Sequence, residues 1–344
     1  MRPRLATLFV LLVATAAVAA TALGPGDPTA VLVDGFTAPC RTTVGPDGSL
    51  YVGDLGDHII YKVTLDGTRT PFNDDIADPR GMSFDPFGNM LVGGRGDGTV
   101  WRVSPEGVAS PFLTGITWPI RARVGPDGDI WVAAVDSVYH FDAMGREIER
   151  IDVISQDIGA YGLQFSPEGD LYITSWGKFG ILEDGIVTLV PITEGVRNGG
   201  PHFDTSGNAY WIHESVEEGD THRMVLADRN LTVTDAAFAN FAVAPCSHVF
   251  GRDATGATTN RQYVSLRDGT IVEINAAGIP APGVPETGLR LTDVVESEVV
   301  EELLLQSSAV TDDQLHFLDV IGNNEGAFDI GDFRAYLIAT GTVE

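Results

Sequence analysis

Between residues 29 and 278, short apolar stretches alternate with Gly, Pro and Asp at near-regular intervals, and the stretches are too short for amphipathic helices. The run Val44-Gly45-Pro46-Asp47-Gly48-Ser49-Leu50-Tyr51-Val52 returns over Phe84 to Val92 and Val124 to Val132, then over Phe165 to Ile173 and Phe203 to Trp211. Its turn glycine recurs as Gly88, Gly128, Gly169 and Gly207, at steps of 40, 40, 41 and 38 residues. A sixth copy opens at Phe250-Gly251-Arg252-Asp253, carries an insertion before Gln262-Tyr263-Val264, and closes at Asp268-Gly269-Thr270-Ile271-Val272. Each unit holds a strand, a Pro-Asp-Gly-type turn, an alternating strand, a third strand such as Ile60 to Val63 or Val100 to Val103, and a fourth. One such sheet cannot bury both its faces, so the units must pack radially. The pattern predicts an all-β fold, a six-bladed propeller of four-stranded blades. The sixth unit runs out near Ile274, one strand short, while Ala30 to Val33 stands before the first unit; that strand is expected to complete blade six and leave no open sheet edge.

The ends of the chain differ from this middle. Residues 1–22 read as a secretory signal peptide, with Arg2 and Arg4 ahead of an apolar stretch from Leu8 to Val18 and small residues at Ala17-Val18-Ala19 or Ala20-Thr21-Ala22 for cleavage. Export follows, with no stable membrane insertion after cleavage. Residues 279–287 hold three Pro in six positions and read as a stiff linker. Beyond them, 288–344 form a small acidic module with apolar residues at helical spacing, among them Val295, Val299, Leu303 and Leu304. Across the whole chain, 48 Asp plus Glu against 21 Lys plus Arg give a formal charge of −27. A surface of that sign repels phosphate backbones, so nucleic acid is excluded as a partner.

Gly-Pro-Asp-Gly, the aromatic-Val strand, Ile60-Tyr61-Lys62-Val63 and the further Asp66-Gly67 together resemble the NHL-repeat and gluconolactonase-like six-bladed propellers, with virginiamycin B lyase close in repeat style. The likeness covers roughly residues 29–278. It implies the fold, and it implies a face where the loops leading into the innermost strands meet those joining second to third strands. The residues leading in are Cys40, Arg80, Ile120, Tyr161, Gly199 and Cys246, with Arg41 and Arg121 one step on. The other loops offer Asp54, Asp57 and His58, then Arg95 and Asp97, Asp136, Trp176 and Lys178, Glu214, and Arg267 with Asp268. Likeness to the lactonases implies a divalent metal held by a Glu leading into blade one and by Asn and Asp in later blades. Arginines stand at these places instead. Likeness to the lyase implies His residues on adjacent blades, and His202 and His248 are the candidates, although the repeat alignment sets them one residue out of phase, on opposite sides of their strands.

Arg41, Arg80 and Arg121 lead into three consecutive blades of a strongly acidic protein, and Arg is the side chain that clamps planar anions with two parallel bonds. The expected ligand is small and anionic or polyhydroxylated, with Tyr161 and Trp176 as flat walls; a protein partner is the other occupant this face could take. Arg95-Gly96-Asp97 spells an adhesion tripeptide but reads as a Gly-rich turn. Cys40 and Cys246 each follow Ala-Pro and hold the same place in the first and last blades, which are neighbours in a closed ring. In an exported protein they are either a disulfide or two buried thiols.

In the C-terminal module, Asp319 to Asp332 resembles a calcium loop of the EF-hand or half-dockerin type. Counting Gly326 as the sixth position puts Asn323, Glu325, the Ala327 carbonyl, Asp329 and Asp332 at positions 3, 5, 7, 9 and 12, while Ile321 fills position 1 and Asp319 would have to reach in. Calcium is the cofactor this loop would take. The sequence therefore predicts an exported binding or interaction platform carrying a calcium-dependent docking module. A metal-dependent lactonase or a lyase is the alternative, under which a divalent metal would sit in the propeller.

Overall fold

The computed structural model describes residues 28–274, except Pro86, 167–168, 192–199, 205–206, 214–221 and 253–257, together with Leu315. The leader, the Pro-rich linker, the calcium loop and Glu214 lie outside the described residues. Among the described residues, twenty-four strands form six separate four-stranded antiparallel sheets, and five of the six sheets are laid down in simple sequence order from the axis outward. The innermost strands are Arg41–Val44, Pro79–Phe84, Pro119–Val124, Gly162–Phe165, His202–Phe203 and Pro245–Arg252. The sixth sheet is the exception, and it closes the ring. Its outermost strand is Pro28–Val33, paired antiparallel with Ile271–Ile274, so the two ends of the propeller are held together by one ladder.

The repeating turn explains why the forty-residue unit recurs so faithfully. Gly48, Gly88, Gly128, Gly169 and Gly207 all sit at φ between 78° and 93°, the left-handed region that a side chain disfavours. The residue three places earlier accepts the turn hydrogen bond, as in Gly48 N to Gly45 O and Gly128 N to Gly125 O, both 3.0 Å.

The core is not one cluster but six, each lying in the gap between two neighbouring blades. Between blades one and two, Val92, Met82 and Met90 pack on Tyr51 and Ile60; between six and one, Val249 and Tyr263 pack on Leu50 and Val52. The largest buried side chain, Trp211, meets Phe179 of the preceding blade edge-on at 5.4 Å. Alternation along each strand sends successive side chains to opposite neighbours, so every blade is apolar on both faces and a lone blade has no stable form.

Candidate functional site

At one mouth of the ring, the loops of blades one to four enclose a cavity of about 260 Å³ lined by Arg41, Arg80, Arg95, Arg121, Trp118, Ile120, Tyr161 and Trp176. Five residues singled out in the sequence, Arg41, Arg80, Arg121, Tyr161 and Trp176, meet here. Their depths differ. Arg121 forms the floor, only 6% exposed, while Trp118 and Trp176 stand at the rim, 51% and 60% exposed. Gly81 makes the floor possible: a Cβ there would lie 2.9 Å from Arg121 Nε and 2.8 Å from the Ile120 carbonyl oxygen. Tyr161 and Trp176 lean on each other at 5.9 Å, and the Arg95 guanidinium lies 4.9 Å over the Trp118 ring.

The charge balance of the cavity is lopsided. Asp78 takes Arg80 at 2.8 Å and Arg95 at 3.8 Å. Arg41 donates from Nη1 to the Cys40 carbonyl at 2.7 Å, a neutral partner, and the Nε of Arg121 is buried with no acceptor. Burial first, and the proximity of Arg80 second, pull Arg41 down to about 10. Burial, then Arg123 and Arg41, hold Arg121 well below the usual guanidinium range. A desolvated cation beside other cations is costly, and the arrangement is stabilised by whatever brings negative charge to it.

Sequence reasoning passed over Trp118. It precedes Pro119 as Asp78 precedes Pro79, two places before the residue leading into the blade, and both stand at positive φ, 52° and 53°. For a side chain as bulky as Trp such backbone is strained, and strain of this kind gathers where a site is held in shape. The paired Xaa-Pro positions in blades two and three were the available signal.

Asp54, expected on the ligand face, is buried and engaged. Its carboxylate accepts the amides of Thr37 at 2.6 Å, Ala38 at 2.7 Å and Gly56 at 2.9 Å, fixing the loop that carries Cys40. The two histidines also correct the sequence reading. Their rings lie 4.3 Å apart, edge to face. Being out of phase is what brings them together: residues in the same phase point the same way round the ring, whereas residues one step apart on adjacent blades face each other across the gap. Burial is the main reason that both are held below the usual imidazole range, His248 to about 3 with Arg121 adding to the effect, and His202 through His248, Arg123 and Arg121. Cys40 and Cys246 are bonded, with S–S 2.05 Å and Cα atoms 4.8 Å apart.

A divalent metal does not fit the mouth as these residues build it. Guanidinium groups line it, Asp78 is shared by two of them, and both oxygens of Asp54 are committed to backbone amides.

No family model matches the chain, and no curated protein matches its sequence. Solved structures do match in fold. A candidate gluconolactonase superposes with a TM-score of 0.60 at 14% identity, covering 74% of this chain and 93% of its own. A gluconolactonase from Xanthomonas campestris gives 0.55 at 17%, covering 75% and 95%. A catalytically inactive virginiamycin B lyase from Staphylococcus aureus, with quinupristin, gives 0.51 at 14%, covering 68% and 78%. At these identities the likeness is one of architecture, and activity has to be argued from the site.

Proposed function

We propose that the protein is an exported binding platform whose propeller captures a small anionic ligand at the arginine-lined mouth. One observation carries the reading: four guanidinium groups line one cavity, and among the described residues only two of them, Arg80 and Arg95, have a carboxylate within ion-pair distance, the shared Asp78, in a chain that is otherwise strongly acidic. Arg supplies paired donors in a fixed fork suited to carboxylate or phosphate, and the acidic remainder of the surface repels competing anions from everywhere else. The cavity volume lies just under that of drug-sized pockets, which suits a compact ligand. The leader and the loop from Asp319 to Asp332 support an extracytoplasmic setting in which a calcium-bound module docks the protein to a surface or partner.

Arg80→Ala combined with Arg121→Ala tests the reading. The double variant should keep its circular dichroism spectrum and lose binding of small carboxylates and phosphate at least tenfold by calorimetry. Unchanged affinity in a folded double variant would overturn it.

A second reading, a lyase-like activity, is favoured by the contact of His202 with His248, two rings kept neutral beside the arginine floor. Metal content and turnover separate the two. A divalent metal that stays with the propeller when the chain is cut at Pro285 would redirect attention to lactone and lyase substrates.

A further inference from the structure

The cavity holds more information than the sign of its ligand. We infer that its occupant is a flat, ring-bearing dianion, seated with its acid groups on Arg41 and Arg121 and its ring against Trp118, Tyr161 and Trp176. This rests on the binding-platform reading above and adds the valence and shape of the ligand.

The valence follows from counting partners. Asp78 neutralises one of four guanidinium groups, and Arg95, the outermost, is stacked on Trp118 where solvent screens it. What remains is Arg41 and Arg121. Arg41 lies close enough to lower the protonation of Arg121, Asp78 acts on Arg41 only through space, and neither guanidinium has an acidic partner at salt-bridge distance among the described residues. A single carboxylate on this floor would leave a second buried cation uncompensated. Two negative charges, on two carboxylates or on one phosphate, satisfy both, and the Nε of Arg121 is buried without an acceptor.

The shape follows from the grading of the walls. Charge lies at the bottom and aromatic surface at the top, with Trp118 and Trp176 half or more exposed although each carries one of the largest apolar surfaces in the chain. Isolated exposed tryptophans need no explanation, but two that flank one charged cavity, one of them in strained backbone, form a rim whose exposed ring surface suits stacking on something flat. The Arg95–Trp118 pair extends that surface, since a guanidinium plane stacks on a ring as readily as an indole does.

Calorimetric titration of the full chain, with tryptophan fluorescence as a second signal, tests this with four probes. They are benzene-1,3-dicarboxylate, phenyl phosphate, benzoate and succinate. The two flat dianions should bind at least tenfold more tightly than benzoate and at least fivefold more tightly than succinate. Phenyl phosphate above the dicarboxylate would identify a phosphorylated ring as the natural chemistry, and the reverse order an aromatic diacid. Trp118→Ala and Trp176→Ala, both surface changes that should leave folding intact, should bring the dicarboxylate and succinate within twofold of each other while leaving succinate affinity unchanged. Benzoate equal to the dicarboxylate would overturn the valence, and succinate equal to it would overturn the ring, with the binding platform surviving either result. If none of the four probes, nor inorganic phosphate titrated as a control, binds with a Kd tighter than about 1 mM, both this inference and the platform reading fail.

Discussion

The propeller treats its cations in two opposite ways, and the contrast separates charges that build the fold from charges that wait for something. On the turns between first and second strands of blades one to three, an acid meets a base from the third strand of its own blade. Asp47 takes Lys62 at 2.5 Å, Asp85 takes Arg102 at 3.3 Å, and Asp129 takes His140 at 2.7 Å. Every one of these bases also lies on an aromatic ring. Lys62 is over Tyr51, Arg102 over Phe112, and His140 is stacked on Trp131 at 3.9 Å. At the mouth, by contrast, cations are grouped with cations. The first arrangement is complete without a ligand, and the second is not.

The largest expected effect comes from the bond that anchors the mouth. Cys40 is the residue before Arg41, and its partner Cys246 stands 206 positions away, so the link closes nearly the whole ring. In the chain-entropy account a loop of that length contributes about 5 kcal/mol. Cys40→Ser with Cys246→Ser should therefore lower the urea midpoint sharply. The turn clamps are local and should be untouched, so the sharpest form of the comparison is hydrogen exchange: protection should fall in blades one and six around the mouth and persist in the Asp85–Arg102 turn.

Next comes acid. His202 and His248 are neutral in the fold, whereas in the unfolded chain they take up protons below about pH 6.5. The unfolded state then binds more protons, so stability is complete above that pH and falls as the pH drops, by about 1.4 kcal/mol per unit for each ring. For His248 the loss continues until about pH 3, where it charges in the fold as well. Denaturant midpoints of the parent chain and of His248→Gln between pH 7 and pH 4 should converge on acidification. Parallel curves would show that the pair near the arginine floor does not titrate as its surroundings dictate.

How much of this was legible beforehand depends on the range of the interaction. Glycine spacing and strand alternation are local properties, and they were enough for six blades, four strands each, and the closing role of Ala30 to Val33, whose strand the structure begins two residues earlier at Pro28. Residue position within the repeat also brought Arg41, Arg80, Arg121, Tyr161 and Trp176 into one cavity. What could not be read was the path of individual side chains. Asp54 sits at the right place in its loop, yet its carboxylate turns inward because three backbone amides converge on it. His202 and His248 were set apart by a rule that holds within one strand and reverses across the gap between two blades. Trp118 depends on a backbone conformation whose signal, the residue before Pro shared with Asp78, shows only when blades two and three are set side by side.

A smaller effect, with the opposite sign, follows from the unpaired floor. Arg121→Met keeps the length and apolar stem of the side chain and removes a buried cation that lacks an acid partner. Replacing a buried ion pair by packed apolar groups is often neutral or stabilising by roughly 1–4 kcal/mol, a buried cation without an acid has no pairing to lose, and removal of one partner from a satisfied pair is destabilising. The variant should melt higher than the parent and lose anion binding together, which is the trade expected where a site is kept strained for function. A lower melting temperature would mean that Arg121 is part of the scaffold, and the distinction between the two sets of cations would collapse.

The smallest effect belongs to the clamps themselves. Lys62 and Asp47 are both about a third or more exposed, and such ion pairs contribute about 0–1 kcal/mol. Against the upward pull of its burial, Lys62 and the hydroxyl and amide of Ser49 hold the Asp47 carboxyl below the usual carboxylate range. That depression gives stability above the unfolded carboxylate range, and the stability is lost as pH falls through it. Lys62→Met keeps the stem over Tyr51 and deletes only the charge. Its urea midpoint at pH 7 should fall slightly, by an amount that shrinks further in 0.5 M salt, and its anion affinity should equal that of the parent, because the turn and the mouth share no charge. A loss of binding in this variant would show that the two faces are electrically coupled through the blade, and that the mouth is tuned by charges that look purely structural.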